Sequence, residues 1–208
     1  MLLSLRCTLV ALALVLSPAI AAAEPAAQGA PQGIACSGPF AKDTSHAKLL
    51  TAFGAANVTD QQIEGAEGST EQATVLFAND PTRRIEVIWG NAKARAKPAS
   101  VMIKSPSTWT GPEGIHTGMA IADVAQHNGQ PFKINGFEWD YGGYAVSLKG
   151  KLASLPGGCG VTLRFSPGVE LSGKTFRSII GDKQVRSDNA VLLSARPALA
   201  EWSMVYDD

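Results

Sequence analysis

The residues whose types and spacing come nearest to nucleophilic catalysis are Ser45-His46-Ala47-Lys48 and Ser187-Asp188-Asn189. An S-x-x-K at a helix start sets a hydroxyl one turn from an ammonium, and S-x-x-K with S-D-N makes two of three elements of one serine-nucleophile set. The third element, K-T-G, is missing. Lys174-Thr175 runs on into Phe176 and precedes the S-D-N instead of following it. No G-x-S-x-G, phosphate loop or dinucleotide fingerprint occurs either.

Acid–base and metal chemistry fare no better. His46, His116 and His127 are scattered. Four residues either side of His127 stand Asp123 and Pro131, so no H-x-x-x-H ligand pair forms. Glu138 and Asp140 alternate on an expected strand and so share a face, whereas a glycosidase pair must oppose its carboxylates across the substrate. The chain is read as non-catalytic, with no catalytic residue, no bound metal and no cofactor.

Two groups of side chains are candidates for partner binding. Arg83, Arg84, Lys93, Arg95 and Lys97 form a basic group. Lys93-Ala94-Arg95-Ala96-Lys97, if extended, would line three cations along one side. That stripe suits anionic headgroups, glycan or an acidic partner; the other reading is a solvated edge whose charge discourages strand pairing between molecules. Trp139, Tyr141 and Tyr144, with Trp109, form the aromatic group. Aromatic rings are enriched in binding hot spots, but they also fill the cores of α+β sheets. Glycine-flanked Tyr144 is the ring best placed for exposure.

Residues 1–23 read as a secretory leader, with Arg6 before the apolar run Leu9–Leu16 and a small-residue cleavage site at Ala21-Ala22-Ala23. The run is shorter than the roughly 20 residues a membrane span requires, and no later stretch is long enough. Cleavage behind Ala23 removes one arginine and no acid, leaving 17 basic against 18 acidic side chains. Such a balance lacks the basic face that nucleic acid requires. The location expected is periplasmic or secreted. There, Cys36 and Cys159 make one disulfide most simply, worth about 4–5 kcal/mol for so long a loop. Gly33-Ile34-Ala35 lacks the leucine of a lipoprotein signal, which argues against a lipid on Cys36.

The elements that must position these groups repeat. Ala47-Lys48-Leu49 to Gly54, Ile63-x-Gly65-x-Glu67 and Thr74-Val75-Leu76-Phe77 recur as Ala122-Asp123-Val124 to Gly129, Ile134-x-Gly136-x-Glu138 and Ala145-Val146-Ser147-Leu148. Arg84–Trp89 and Gly160–Phe165 continue the match. Each copy reads as a short helix followed by an antiparallel hairpin. In the first, strands at Thr74–Phe77 and Arg83–Trp89 are joined by a turn, with another strand at Ser100–Lys104. In the second, a helix opens at Thr117-Gly118, and strands at Phe137–Tyr141 and Tyr144–Leu148 flank Gly142-Gly143. Val185–Leu193 is left between strand and helix, and Glu201–Tyr206 alternates like a closing strand. The expected fold is α+β, two tandem helix-plus-antiparallel-sheet modules joined by a disulfide. A lead-in at 24–35 precedes modules at 36–104 and 105–170, and 171–208 completes the sheet.

Gly118-Met119-x4-Val124-x4-Gly129-x-Pro131, followed by Trp139-Asp140-Tyr141, resembles the signature of the BamE (SmpA/OmlA) family of small envelope proteins. In that family a Gly-Met pair starts a helix, G-x-P ends it and W-x-Y follows on a strand. The tandem arrangement is similar to that of the β-lactamase inhibitory proteins. The first copy lacks the Gly-Met pair and W-x-Y, and the family's lipid-anchored cysteine is missing. The resemblance implies a binding or assembly protein of the bacterial cell envelope, engaging an envelope protein or polymer. An inhibitor of a secreted or periplasmic enzyme is the alternative, and an unrecognised hydrolase the third reading.

Overall fold

The computed structural model describes residues 33–65 and 68–206, so the leader, most of the lead-in and Glu67 of the repeat lie outside the described residues. Its helices form where capping and apolar spacing agree. In α1 (His46–Phe53) the Ser45 side chain accepts a hydrogen bond from the Lys48 amide at 3.4 Å, and Leu49 turns inward. Helix α2 (Ile121–Asn128) buries Ile121, Val124 and Asn128, and ends at Gly129 in the left-handed conformation. It starts later than expected, because Gly118-Met119-Ala120 runs alongside the start of the last strand: Gly118 donates to the Leu199 carbonyl and Leu199 to that of Met119, both at 2.8 Å. Helix α3 (Ala190–Ser194) is capped by the Asn189 side chain, which accepts from the Val191 and Leu192 amides.

Four strands follow α1 as an antiparallel meander: β1 (Val58–Glu64), β2 (Thr70–Leu76), β3 (Ile85–Asn91) and β4 (Ala96–Lys104). β1 carries only Val58 and Ile63 as apolar residues, so its sequence has no strand pattern; seven paired positions with β2 hold it. After α2 come β5 (Lys133–Asn135), the two-residue β6 (Ala145–Val146), β7 (Cys159–Ser166), β8 (Gln184–Arg186) and β9 (Ala198–Tyr206). The large sheet has the order β1-β2-β3-β4-β9-β7, and a small one the order β6-β5-β8. They meet where Tyr144 bridges Arg164 and the Phe165 amide donates to Gly143 at 2.9 Å. The chain is thus α+β. The segment Val185–Leu193, left open between strand and helix, contributes to both β8 and α3.

Phe137–Tyr141 is not a strand. The backbone folds into turns there, with Glu138 at φ 63° and the Gly142 amide donating to the Trp139 carbonyl at 2.9 Å. A Cβ on Gly136 would lie 2.5 Å from the Gly181 carbonyl oxygen, so only glycine lets these two chain segments meet.

Strand alternation divides the large sheet into two faces. One carries Leu76, Ile85, Val87, Val101, Ile103, Trp202, Met204, Val161 and Leu163, packed with Leu49 of α1 and Ile121 and Val124 of α2 in the main core. An aromatic chain, Phe40–Phe53–Phe77–Trp109, with centroids 5.6, 5.8 and 6.3 Å apart, extends it. The opposite face holds a separate small cluster of Ile63, Ala73 and Val75, packed with Ala78 and Ile88 and including no helical residue. Cys36 and Cys159, both 3% exposed, are joined by a disulfide with Cα atoms 6.3 Å apart. The bridge ties the entry of the described chain to the start of β7. No helix among the described residues is long and apolar enough to cross a membrane.

Candidate functional site

The face that carries the small cluster of Ile63, Ala73 and Val75 is hollowed into a cleft of about 970 Å³ lined by no residue of the described helices. Its floor is set by register. Lys104 on β4 stands opposite Glu201 on β9, and Glu201 opposite Arg164 on β7, with Tyr144 bridged beyond. Directly opposed side chains in an antiparallel sheet lie about 5 Å apart at Cβ, so the row alternates cation, anion, cation. Beside the cleft, in a smaller hollow that shares Met102 and Lys104 with it, Glu86 on β3 lies opposite Met102 on β4. Arg84 Nε is 2.9 Å from Glu86 Oε1 and Lys104 Nζ 3.0 Å from Oε2, so this buried carboxylate is held between two cations. Ile88 and Met102 supply the apolar part of the lining.

Desolvation sets the titration of the floor. Burial pushes the Glu201 carboxyl above its ordinary value, although Lys104 and Arg164 pull it back. The Tyr144 phenol is raised by burial first and then by the neighbouring Glu201 charge. Its hydroxyl donates to Glu201 Oε1 at 3.5 Å, and the Arg164 guanidinium lies 5.0 Å from its ring centroid.

Two turns and the strand ends beside them form the rim. On one side, Glu64 ends β1, Gly65 and Gly68 lie in the β1–β2 connection and Glu71 stands near the start of β2; on the other, Trp139, Asp140 and Tyr141 come from the turn that replaces the expected strand. Trp139 and Tyr141 meet edge to face with centroids 5.5 Å apart, and Trp139 Nε1 donates to the Gly136 carbonyl at 2.8 Å. Phe137 anchors the turn: its amide donates to Ile179 and its carbonyl accepts from Gly181, both at 2.8 Å. Tyr141 is left 50% exposed. The structure therefore gathers Trp139, Tyr141 and Tyr144 around one opening, while Trp109 is buried on the other face with its indole donating to the Arg83 carbonyl.

The basic group is not gathered. Arg83 and Arg84 precede β3, and Lys93, Arg95 and Lys97 follow near its far end, about 20 Å away at 3.3 Å per strand residue. Arg83 lies 3.8 Å from the Phe77 ring centroid, Arg84 pairs with Glu86, and Arg95 pairs with Asp60. Lys93–Arg95 form a turn, and Arg95 and Lys97 have φ of 48° and 56°, so the extended stripe does not exist.

The catalytic lures are also occupied. Ser45 caps α1, Lys48 Nζ pairs with Asp43 at 2.7 Å, Ser187 Oγ accepts from the Phe132 amide, and Asp188 pairs with Arg186 at 2.6 Å. The cleft lining includes Asp140 but neither Glu138 nor a histidine. Among the described residues no group of three or more His, Cys, Asp or Glu is placed to hold a metal ion.

Sequence reasoning missed Lys104, Arg164, Glu201, Glu86, Glu64 and Glu71. Each charged floor residue sits beside apolar strand residues, as in Ala200-Glu201-Trp202 or Leu163-Arg164-Phe165. That pattern was the available signal; which of them meet is set by a register between strands far apart in the chain. Comparison with protein-family models, curated proteins and solved structures finds no match.

Proposed function

We propose that this chain is a non-catalytic binding protein of the bacterial cell envelope, periplasmic or secreted, and that it engages its partner through the cleft on the sheet face that carries the small cluster. The observation that carries the reading is the edge-to-face pair of half-buried Trp139 and exposed Tyr141 at the mouth of a cleft of about 970 Å³. Exposed rings beside a concave, mostly prebuilt surface are what binding hot spots use. The leader-like residues 1–23 and the Cys36–Cys159 disulfide support an oxidising compartment.

Two tandem modules are part of this proposal. From the central β4–β9 pair, the strands run outward as β3-β2-β1 on one side and β7, then β6-β5 across the Tyr144–Arg164 bridge, on the other. That order supports two copies of one unit, the second extending to β9 rather than ending near residue 170. Gly129 closes α2 where the BamE resemblance puts a helix end, whereas Gly118-Met119 precede a helix that starts at Ile121 and Trp139-Asp140-Tyr141 lies in a turn.

The test is affinity capture from envelope extract with the wild-type chain and a Trp139→Ala/Tyr141→Ala variant, with Lys93→Glu/Lys97→Glu as a control away from the cleft. Hot-spot truncation of about 2 kcal/mol or more predicts at least a thirtyfold weaker complex for the aromatic variant. Equal recovery of the same partner by both variants would refute the cleft as the binding surface. Inhibition of a secreted enzyme is the second reading, favoured by exposed Tyr141, Glu64, Glu71 and Asp140 on this hollow surface; it requires the captured partner to lose activity on binding.

A further inference from the structure

Resting on that reading, we propose that the cleft receives a cationic segment of a partner protein, a loop or extended stretch presenting arginine or lysine side chains. The charges of the floor answer one another. Lys104 is committed to Glu86, and Arg164 lies over the Tyr144 ring and opposite Glu201, whose carboxyl it pulls back down, without a close ion pair. The three remaining carboxylates of the lining, Glu64, Glu71 and Asp140, are exposed and have no ion pair among the described residues. They come from opposite ends of the opening, so its unanswered potential is negative at both rims. A polyanion entering the cleft would meet these three charges and Glu201, against two floor cations of which Lys104 is already held by Glu86.

The rest of the lining suits long basic side chains in particular. Ile88 and Met102 offer apolar surface to the methylene stems of lysine or arginine, which keep their charged heads outward toward water or carboxylate. The Trp139–Tyr141 pair adds ring faces near Asp140, where a guanidinium gains from ring and carboxylate together. A neutral glycan would use the rings but leave the three carboxylates with no role. The volume admits several side chains, so the occupant is a segment and not a lone ion.

Selection of a random dodecapeptide display library on the full chain, with counter-selection on the Trp139→Ala/Tyr141→Ala variant, tests this. The enriched peptides should be rich in arginine or lysine and bind more weakly as salt rises. A Glu64→Gln/Glu71→Gln/Asp140→Asn variant should bind them about tenfold more weakly, about 1.4 kcal/mol, with an unchanged thermal midpoint. Neutral or acidic winners, no enrichment, or equal binding by the carboxamide variant would each overturn the cationic assignment. If the aromatic variant loses a captured partner while the carboxamide variant keeps it, the cleft stands as the binding site and only its charge preference falls. Binding of chitohexaose at the same rings in place of peptide would assign the cleft to an envelope polymer.

Discussion

Reduction of the Cys36–Cys159 disulfide should cost this fold about 5 kcal/mol. The two cysteines are separated by 123 positions, a loop that contains α1, β1–β4, α2, β5 and β6. Joining its ends in the unfolded chain removes entropy that grows with the logarithm of loop length, and a loop of this size gives about 5 kcal/mol at 25 °C. The native state loses little when the bond opens, because both sulfurs stay in the core beside Met204, whose sulfur is 3.5 Å from that of Cys36. Set against the 5–15 kcal/mol typical of a folded domain, the reduced chain would sit close to its unfolding transition at 37 °C. Four of the large sheet's six strands, β1–β4, are closed inside the loop, while β9, which holds β4 to β7, is outside it. The bond therefore restricts the search for the one strand pairing that joins the two halves.

Urea titration of the oxidised and fully reduced chains, followed by tryptophan fluorescence, measures the difference. Trp202 is fully buried between the sheet and Gly111, so its emission reports global unfolding. The expected result is a lower midpoint together with a steeper dependence on urea, since the unbridged unfolded chain exposes more surface. A midpoint shift worth less than 1 kcal/mol would refute the argument, as would a large shift that survives when Cys36 and Cys159 are both alanine and reductant is added.

Two further outcomes test the floor and the junction between sheets. Burial holds Glu201 protonated to a higher pH than in the unfolded chain, where its ordinary value is 4.5. Its contribution to stability is therefore greatest below that value and declines as pH rises through the raised folded value. Glu201→Gln should remove this decline, so the variant is more stable than wild type at pH 7 and indistinguishable near pH 4 by urea unfolding; a variant less stable at pH 7 would contradict the sign. Gly143 has φ of 78°, and a Cβ there would lie 2.0 Å from the Phe165 carbonyl oxygen. Gly143→Ala should cost at least about 2 kcal/mol, combining left-handed strain with a backbone clash, and amide exchange should accelerate first in β5 and β6; unchanged exchange there would refute the junction's role.

How much of this was legible depends on how local the determinants are. Ser45 and Gly54 around α1, and Asn128-Gly129 closing α2, act within one turn, and the helices stand where those residues put them. The disulfide followed from there being two cysteines, Cys36 and Cys159, beyond residues 1–23. β1 was not legible, because an edge strand built as Val-Thr-Asp-Gln-Gln-Ile-Glu buries too little to impose alternation. Trp139-Asp140-Tyr141 looked like a strand because its residue types favour one; Glu138 at positive φ and the two glycines at 142 and 143 turn it back instead. The basic stripe failed for a similar reason: alternation of cations means one face only if the backbone is extended, and at Arg95 and Lys97 it is left-handed.

The cleft itself lay beyond any local reading, and the reason bears on where function lies in a repeat. Its floor joins Lys104 of β4, Glu201 of β9 and Arg164 of β7, three residues brought together only when the C-terminal strand enters between the two halves. Its rims come one from each half, the β1–β2 connection and the turn after β5. Within the matched core of the copies the charged positions differ: Arg84 and Glu86 of one correspond to Gly160 and Thr162 of the other. The matched segments share the residues that build helix and strand, while the cleft proposed as a binding surface draws on positions at which they diverge and on β9, which lies beyond those matched segments. On the proposed reading, partner specificity is free to change at the rims, where Glu64, Glu71 and Tyr141 are exposed, without disturbing the apolar residues of the sheet's other face.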